Sequence, residues 1–262
     1  MVRYIDIHTH LAWNVDDGFE TKEETTKALQ LMKKQGVQGI VATPHFIPGV
    51  LSDDTFKMLN ERIEELKELG KSMGIQIYSG GELFLNHSYH EAIKNKWINP
   101  INGTKYLLVE FDVRQNIKNN DVAEDILYEI LISGYIPVIA HVERYFHDGI
   151  DISRVNQWKE MGCVIQINTS SIEGTHGETI RKNAMLLIEE GIGHLLGTDC
   201  HRYDGRRSPE MVEVYHYLQK KYGNDMTDLL FYRNAVNILE NQEVEELPKI
   251  KRSLFKRILG RR

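Results

Sequence analysis

Histidine and carboxylate side chains recur in this sequence directly after short runs of apolar and β-branched residues. Those that follow such runs are His8, His10, His45, Glu82, Glu110, His141, Asp199 and His201. The loop after the first run adds Asp17, in the segment Asp16-Asp17-Gly18, although such a segment is also typical of a turn. Imidazole and carboxylate groups without thiolate suit manganese, iron or zinc. The set predicts a metal centre, and the ligand types leave the choice of ion open.

Each of these residues also has a structural explanation when it is taken alone. His8 and His10 point to the same side of a strand by alternation, but pairs at this spacing are common. Glu82 or Glu110 could cap the next helix or pair with an arginine. One of the two aspartates, Asp16 and Asp17, is expected to turn the chain and the other to bind. The full set is hard to explain as independent caps, and nine ligands exceed the needs of one tetrahedral zinc ion.

The set therefore predicts two or three ions that share a bridging carboxylate. Clustered divalent ions lower the pKa of a bridging water, which supplies hydroxide, and stabilise both oxygens of a phosphoryl transfer. An anionic ester also needs cationic partners. Arg144 follows His141 by three residues, and Arg206 follows His201 by five. We predict that both arginines bind phosphate, although Arg206, beside Arg207, could equally be a surface charge.

Seven short apolar segments alternate with helical patterns along the chain, which implies a parallel sheet. The strand segments are 4–7, 39–44, 75–81, 106–109, 136–140, 164–168 and 194–198, and the helical patterns cover 21–35, 53–73, 121–133, 151–161, 177–190, 208–222 and 226–240. Ser208 and Pro209 look like the N-cap and first residue of a helix. An open sheet gathers ligands at one switch point, whereas six of these seven strands end in a candidate ligand. We therefore predict a distorted α/β barrel, a (β/α)7 single domain over residues 1–248.

Composition narrows the class of protein further. Of the 262 residues, 41% are hydrophobic and 27% are charged, and no apolar run reaches the about 18 residues of a membrane span. The first residues do not look like a signal peptide, and two cysteines without metal spacing favour the cytoplasm. Residues 249–262 contain seven Lys or Arg and no acid, so the rest of the chain carries a formal charge of −13. A polypeptide with this much negative charge is expected to bind nucleic acid poorly.

The basic segment 249–262 has a second feature. Ile250, Leu254 and Ile258 recur at four-residue spacing among the Lys and Arg residues. This pattern predicts either a basic amphipathic tail that contacts an anionic membrane surface or a frayed cationic terminus.

The ligand strings resemble a known family. The strings are His8-Thr9-His10, Asp16-Asp17-Gly18, Thr43-Pro44-His45, Glu110-Phe111, Ala140-His141-Val142-Glu143-Arg144 and Asp199-Cys200-His201. They resemble the polymerase and histidinol phosphatase (PHP) superfamily, and within it the manganese-dependent tyrosine-protein phosphatases of bacterial capsule biosynthesis. The resemblance extends over residues 1–240 and implies a distorted TIM-like (β/α)7 barrel. No single string is specific, but the ordered set is.

The resemblance also implies a three-ion centre and a substrate. His8, His10, Glu82 and Asp199 would hold one Mn²⁺, Glu82 would bridge to a second held with Glu110 and His141, and Asp17, His45 and His201 would hold the third. Arg144 and Arg206 match phosphate-binding arginines. The implied substrate is the phosphotyrosine tail of a membrane-associated bacterial tyrosine kinase that controls polysaccharide synthesis.

Two other functions remain open at this stage. One is a small-molecule phosphoesterase such as histidinol-phosphate phosphatase, and the other is a non-catalytic scaffold held together by its metals. The chain also departs from many relatives at Trp13, which could stack on a substrate ring or pack the loop.

Overall fold

The structure is a computed structural model and describes residues 3–250, so of the predicted basic segment only Lys249 and Ile250 fall within it. Within this range the strands are β1 (Tyr4–Thr9), β2 (Val37–Ala42), β3 (His45–Phe46), β4 (Gln76–Ser79), β5 (Glu82–Phe84), β6 (Tyr106–Glu110), β7 (Ile136–Ile139), β8 (Val164–Asn168) and β9 (Leu195–Gly197). The α-helices are α1 (Lys22–Gln35), α2 (Asp53–Ser72), α3 (Tyr89–Lys94), α4 (Ala123–Ile132), α5 (Ile152–Glu160), α6 (Thr169–Glu173), α7 (Glu178–Glu189), α8 (Val212–Tyr222), α9 (Asn224–Asp228) and α10 (Asn234–Leu239).

The strands form one closed parallel barrel in chain order. β1 pairs with β2 and β2 with β4, while β3, β5, β6, β7, β8 and β9 form a second parallel series. The predicted second and third strands are each interrupted by two residues, so β2 with β3 and β4 with β5 each count as one barrel strand. The barrel closes where the His10 N–H donates to the Cys200 carbonyl at 3.0 Å and the Asp199 N–H donates to the His8 carbonyl at 2.8 Å. The predicted seven-stranded α/β barrel is confirmed.

The two interruptions bring His45 and Glu82 side by side. Pro44 has no N–H to donate, which fits the end of regular pairing after β2. Gly81 leaves room for a neighbouring ring, because a Cβ there would lie 2.4 Å from a carbon of Phe46. Pairing then resumes with His45 opposite Glu82.

A buried carboxylate joins the first and last strands. Asp6 in β1 accepts a hydrogen bond from the Thr198 N–H at 3.0 Å and another from the Thr198 hydroxyl at 2.6 Å. β1 and β9 also approach closely at Gly197, where a Cβ would lie 2.9 Å from the Cβ of His8. These contacts fix the end of β9 beside the end of β1, where Asp199 and His8 lie.

The outer helices bury one apolar face against the barrel, as their periodicity predicts. In α2 the buried face includes Leu59, Ile63 and Leu66, which recur at helical spacing. The helix begins with a capping box between Ser52 and Thr55, which satisfies two otherwise unpaired backbone donors.

One predicted helix boundary is wrong. α8 begins at Val212, and neither Ser208 nor Pro209 caps it. The Gln35 side chain accepts from the Met211 N–H at 3.1 Å and donates to the Pro209 carbonyl at 3.3 Å. This contact with a distant helix holds the segment outside the helix. The predicted helix 226–240 is likewise divided, because a π-helical turn at Leu229–Arg233 separates α9 from α10.

The segment after α10 lies at the N-terminal ends of the strands, opposite the ligands. The Tyr106 hydroxyl, at the start of β6, donates to the Gln242 carbonyl at 2.5 Å. Leu247 is buried, and the Ile250 N–H donates to the Glu189 carbonyl at 2.9 Å. Within residues 3–250 no helix combines the length and apolar character needed to cross a bilayer.

Candidate metal centre

The barrel brings all nine predicted ligands to one cluster at the C-terminal ends of its strands. Three overlapping groups have ligand atoms within 4.8 Å of one another, namely His10, Asp17, His45 and His201; His8, His10 and Glu82; and His45, Glu82 and Glu110. Asp199 and His141 adjoin these groups, with Asp199 Oδ1 3.6 Å from His8 Nε2 and His141 Nε2 3.3 Å from Glu82 Oε1. The overlap places Glu82 between two groups.

Distances within the cluster fit ligands that share an ion. Glu82 Oε2 lies 3.1 Å from the Nε2 atoms of His8 and His10 and 3.2 Å from His45 Nδ1. Two ligand atoms that each lie roughly 2.1 Å from one ion are about 3.0–3.4 Å apart at tetrahedral or octahedral angles. The cluster therefore has the spacing of a coordination shell.

Several buried polar atoms in the cluster lack a hydrogen bond within residues 3–250. They include both carboxylate oxygens of Glu82, Nδ1 of His45 and Nε2 of His201. A buried polar atom without a partner costs free energy, so such atoms are uncommon in folded proteins. Their convergence on one another makes the residues present a good fit for divalent cations.

Electrostatics keep the acids of the cluster ionised. Burial alone would raise the pKa of Glu82, but His8 and His45 outweigh this effect and hold it well below its usual value. The pKa of Asp199 is also far below normal, because His8, Arg207 and His201 together outweigh its burial. Both acids are therefore anionic and available as ligands.

The two aspartates after β1 have separate tasks. Asp16 accepts from His10 Nδ1 at 2.7 Å and from the Gly18 N–H at 2.9 Å, so it turns the loop and orients the histidine. Asp17 instead reaches the cluster, with Oδ1 3.2 Å from His201 Nε2 and 3.3 Å from His45 Nε2. Asp16 is therefore the aspartate that turns the chain, and Asp17 is the one that lies among the predicted ligands.

β8 supplies a supporting network that the sequence did not reveal. Gln166 Oε1 accepts from the His141 N–H at 2.8 Å and lies 3.2 Å from His8 Nδ1. Its amide donates to Asn168 Oδ1 at 2.9 Å, and Asn168 in turn donates to Asp199 Oδ2 at 2.9 Å. Such outer partners fix the orientation of metal ligands. The only available signal was two amides at alternate positions of an otherwise apolar strand.

Two ligand positions have left-handed backbone conformations. His141 has φ 34° and Asp199 has φ 53°, and neither is glycine. Non-glycine residues adopt this region at a cost that the surrounding structure must hold, and such strain concentrates at functional sites. At the strand ends, this left-handed conformation directs both side chains into the cluster.

Arg144 reaches the cluster as predicted, but Arg206 does not. Arg144 donates to Asp199 Oδ2 at 3.0 Å, and the neighbouring Glu143 anchors its loop by accepting from the buried Ser171 hydroxyl at 2.6 Å. Arg206 is exposed, and Arg207 takes the inner position, donating to Asp199 Oδ1 at 2.9 Å. The loop sets this offset, because the His201 and Arg202 N–H groups both donate to the Arg207 carbonyl.

A cavity of about 560 Å³ opens onto the cluster. Its polar lining includes seven of the predicted ligand and phosphate-binding residues and Arg207, together with Asp16, Thr55, Asp112 and Arg114; the predicted residues are Asp17, His45, Glu82, Glu110, His141, Asp199 and Arg144. Trp13 is not part of the lining. It is buried, with the Arg62 guanidinium 4.8 Å from its ring centre, so it packs the loop.

Fold and site together define a TIM-like barrel protein with a candidate histidine–carboxylate metal centre. The sequence model for capsular polysaccharide synthesis proteins, CpsB/CapC, matches residues 4–240. The tyrosine-protein phosphatase CpsB of Streptococcus agalactiae serotype III is 34% identical over 249 residues, covering 92% of this chain and 100% of the relative. The tyrosine-protein phosphatase YwqE of Bacillus subtilis is 27% identical, covering 93% and 94%. The chain therefore belongs to the CpsB/CapC family.

Solved structures agree with this assignment. A crystal structure superposes on this chain with a TM-score of 0.78 and 26% identity. It comes from a study of YwqE from Bacillus subtilis and CpsB from Streptococcus pneumoniae, described there as unique metal-dependent tyrosine phosphatases. The superposition covers 95% of this chain and 99% of that chain. A phosphotriesterase homology protein from Escherichia coli, 9% identical with a TM-score of 0.56, shares the fold over 87% of this chain and 95% of its own.

Gln166 can be tested as an orienting residue. Gln166→Leu keeps the side-chain size but removes the acceptor for His8 and His141, so we expect Mn²⁺ affinity to fall about 10–100-fold. Isothermal titration of the metal-free protein with Mn²⁺ measures this change. Gln30→Leu, an exposed position on α1, is the matched control. Unchanged affinity in a folded Gln166→Leu protein would rule out the orienting role.

Proposed function

We propose that this chain is a metal-dependent protein-tyrosine phosphatase that hydrolyses phosphotyrosine monoesters. The observation that carries the proposal is the buried carboxylate of Glu82. Both of its oxygens lie among histidines and lack hydrogen bonds in the described chain, and the same cavity is lined by Arg114, Arg144 and Arg207. Relatives that match this chain over nearly its full length are named tyrosine-protein phosphatases. A phosphate ester is the substrate that such a combination of metal ligands and guanidinium groups would bind.

The cofactor we propose is Mn²⁺, with three ions per chain, although the same ligands also suit Fe or Zn. The nine predicted ligands would hold the ions, with Glu82 shared between two of them. Ions bound there would supply the activated water, as hydroxide, and neutralise charge on the phosphoryl group. Support comes from the three overlapping ligand groups and their spacing.

The arginines would bind and orient the phosphate. Arg144 and Arg207 each donate to one oxygen of Asp199, and a guanidinium carries five N–H donors, so each retains donors for a second anion. Nε of Arg207 is buried without a hydrogen bond in the described chain. We therefore assign the role first given to Arg206 to its neighbour Arg207.

The physiological substrate we propose is the phosphotyrosine tail of a membrane-associated bacterial tyrosine kinase that controls capsular or extracellular polysaccharide synthesis. The family's association with capsular polysaccharide synthesis supports this proposal. The expected compartment is the cytoplasm. Cys163 and Cys200 are buried free thiols, which agrees with a reducing environment.

We further propose that the barrel and the basic segment are separate functional parts, and that the segment contacts anionic membrane surfaces. Lys249 pairs with Glu190, and the Ile250 N–H donates to Glu189, so these two residues belong to the folded body. The proposed contact therefore rests on residues 251–262, which contain six Lys or Arg. Clustered basic residues of this kind are attracted to anionic lipid surfaces.

Substrate comparison tests the activity. The full chain is stripped of metal, reloaded with Mn²⁺ and assayed on a phosphotyrosine peptide, the matching phosphoserine peptide and histidinol phosphate. We expect hydrolysis of the phosphotyrosine peptide only with metal, and background rates for His141→Ala. His216→Ala, on the exposed face of α8, controls for loss of a histidine. Hydrolysis of histidinol phosphate alone would favour a small-molecule phosphoesterase, and metal binding without any turnover would favour a scaffold.

Adjacent arginines provide a paired test of phosphate binding. Because Arg207 lines the cavity and Arg206 does not, Arg207→Ala should lower kcat/KM on the phosphotyrosine peptide by roughly 10²-fold. Arg206→Ala should remain within about threefold of the wild type, since surface ion contacts contribute little. The reverse order would contradict the assignment.

Vesicle sedimentation tests the tail. Removal of residues 251–262 should reduce binding to vesicles containing phosphatidylserine, and should leave phosphotyrosine-peptide turnover in solution unchanged. The effect should weaken at high salt because it is electrostatic. Equal sedimentation of full-length and shortened chains would exclude the membrane contact.

A further inference from the structure

One side of the cavity mouth above the metal centre is apolar. Its lining there comes from Ile47, Val50, Leu51, Met58, Phe84 and Val113, which we call the apolar rim. Three of these side chains are unusually exposed, with relative exposures of 71% for Val50, 41% for Ile47 and 39% for Met58. A cluster of exposed apolar side chains beside a cavity is typical of a ligand-binding site.

Strand geometry places Phe84 of the apolar rim beside the metal ligands. Glu82 and Phe84 both belong to β5 and lie two residues apart, so alternation turns them to the same face. Ile47 likewise follows His45 by two residues. Two residues advance a strand by about 6.6 Å. Phe84 therefore lies one such step beyond Glu82 along β5, opposite the predicted ligand Glu110 of β6.

Local contacts hold the apolar rim in place. The N–H groups of Val50 and Leu51 both donate to the Ile47 carbonyl at 3.2 Å, and the Asn86 amide donates to the Pro48 carbonyl at 2.9 Å. The next residue, Ser52, starts the capping box of α2. A rim formed in this way before binding loses less conformational entropy when a ligand covers it.

The cavity thus has two chemically different parts. Its floor carries the metal ligands and the guanidinium groups of Arg144 and Arg207, whereas the apolar rim lines its mouth, next to the ion pair of Asp112 with Arg114. A phosphate that carries an aromatic group matches both parts, because the anion meets the floor while the ring covers the rim. A phosphate on a short alkyl chain would leave the rim exposed to water.

We propose that the apolar rim binds the phenyl ring of phosphotyrosine and is the element that favours aryl over alkyl phosphates. The identity of the occupant rests on the proposed phosphatase function. Recognition of the ring by the rim is a separate property that can be measured without turnover.

Two exposed side chains elsewhere offer a matched control. Val122 and Ile132, at the two ends of α4, are 54% and 67% exposed and do not line this cavity. The double variant Ile47→Ser/Val50→Ser removes an isoleucine and a valine from the apolar rim. Val122→Ser/Ile132→Ser removes the same two side chains from another surface. All four positions are exposed, so the substitutions leave the buried core unchanged.

Binding of two non-hydrolysable probes tests the proposal. The full-length protein loaded with Mn²⁺ is titrated calorimetrically with phenylphosphonate and with methylphosphonate. We expect the wild type to bind phenylphosphonate more tightly, and the rim variant to lose roughly tenfold in that affinity. Methylphosphonate affinity should stay within about twofold, because only the floor holds this probe. The α4 variant should match the wild type with both probes.

Two results would overturn the inference. One is a wild type without preference for the phenyl probe, and the other is a rim variant that keeps the wild-type preference. Turnover of the phosphotyrosine peptide by the wild type reports separately on the proposed function. An active enzyme without aryl preference would refute only the rim, and an aryl-selective but inactive protein would refute only the phosphatase activity.

Discussion

The buried charge of Glu82 is the constraint on which the rest of the site depends. Its side chain is fully buried, and imidazole nitrogens of His8, His10 and His45 surround one of its oxygens at 3.1–3.2 Å. An isolated carboxylate in such a place is costly unless cations compensate it. Divalent ions would compensate this charge while using lone pairs that the described chain leaves without hydrogen bonds, and the histidines that bind the ions would then be neutral. The residues around Glu82 are consequently arranged so that cations can bind next to its carboxylate.

The barrel supplies the geometry that this charge requires. Parallel strands bring their carboxyl ends to one face, and the interruption before β3 and β5 sets His45 directly beside Glu82. Asp6 ties the first strand to the last through Thr198, so His8 and Asp199 meet although they are far apart in the chain. Farther out, Gln166 and Asn168 connect the ligands of three strands. Most ligands are thus held by strands or strand ends, while loops supply Asp17, the arginines and part of the apolar rim.

Much of this arrangement could be predicted because it follows from local pattern. Apolar runs that end in ligand-type residues define both the strands and the face on which the ligands meet. The contributions of Gln166 and Arg207 depend instead on contacts between distant segments and on one loop conformation. An amide in a buried strand has no distinctive sequence signal, and the offset between Arg206 and Arg207 arises from backbone hydrogen bonds within the loop. Similarly, the start of α8 was misplaced because Gln35, from another helix, binds the segment before it.

Metal ions gathered around Glu82 are the central proposal, and anomalous diffraction at the manganese edge tests it most directly. Crystals of the full chain grown with Mn²⁺ should give anomalous peaks within coordination distance of the Glu82 oxygens, with three peaks distributed among the three overlapping ligand groups. A map without a peak at Glu82 under conditions in which the protein is saturated with Mn²⁺ would contradict the proposal.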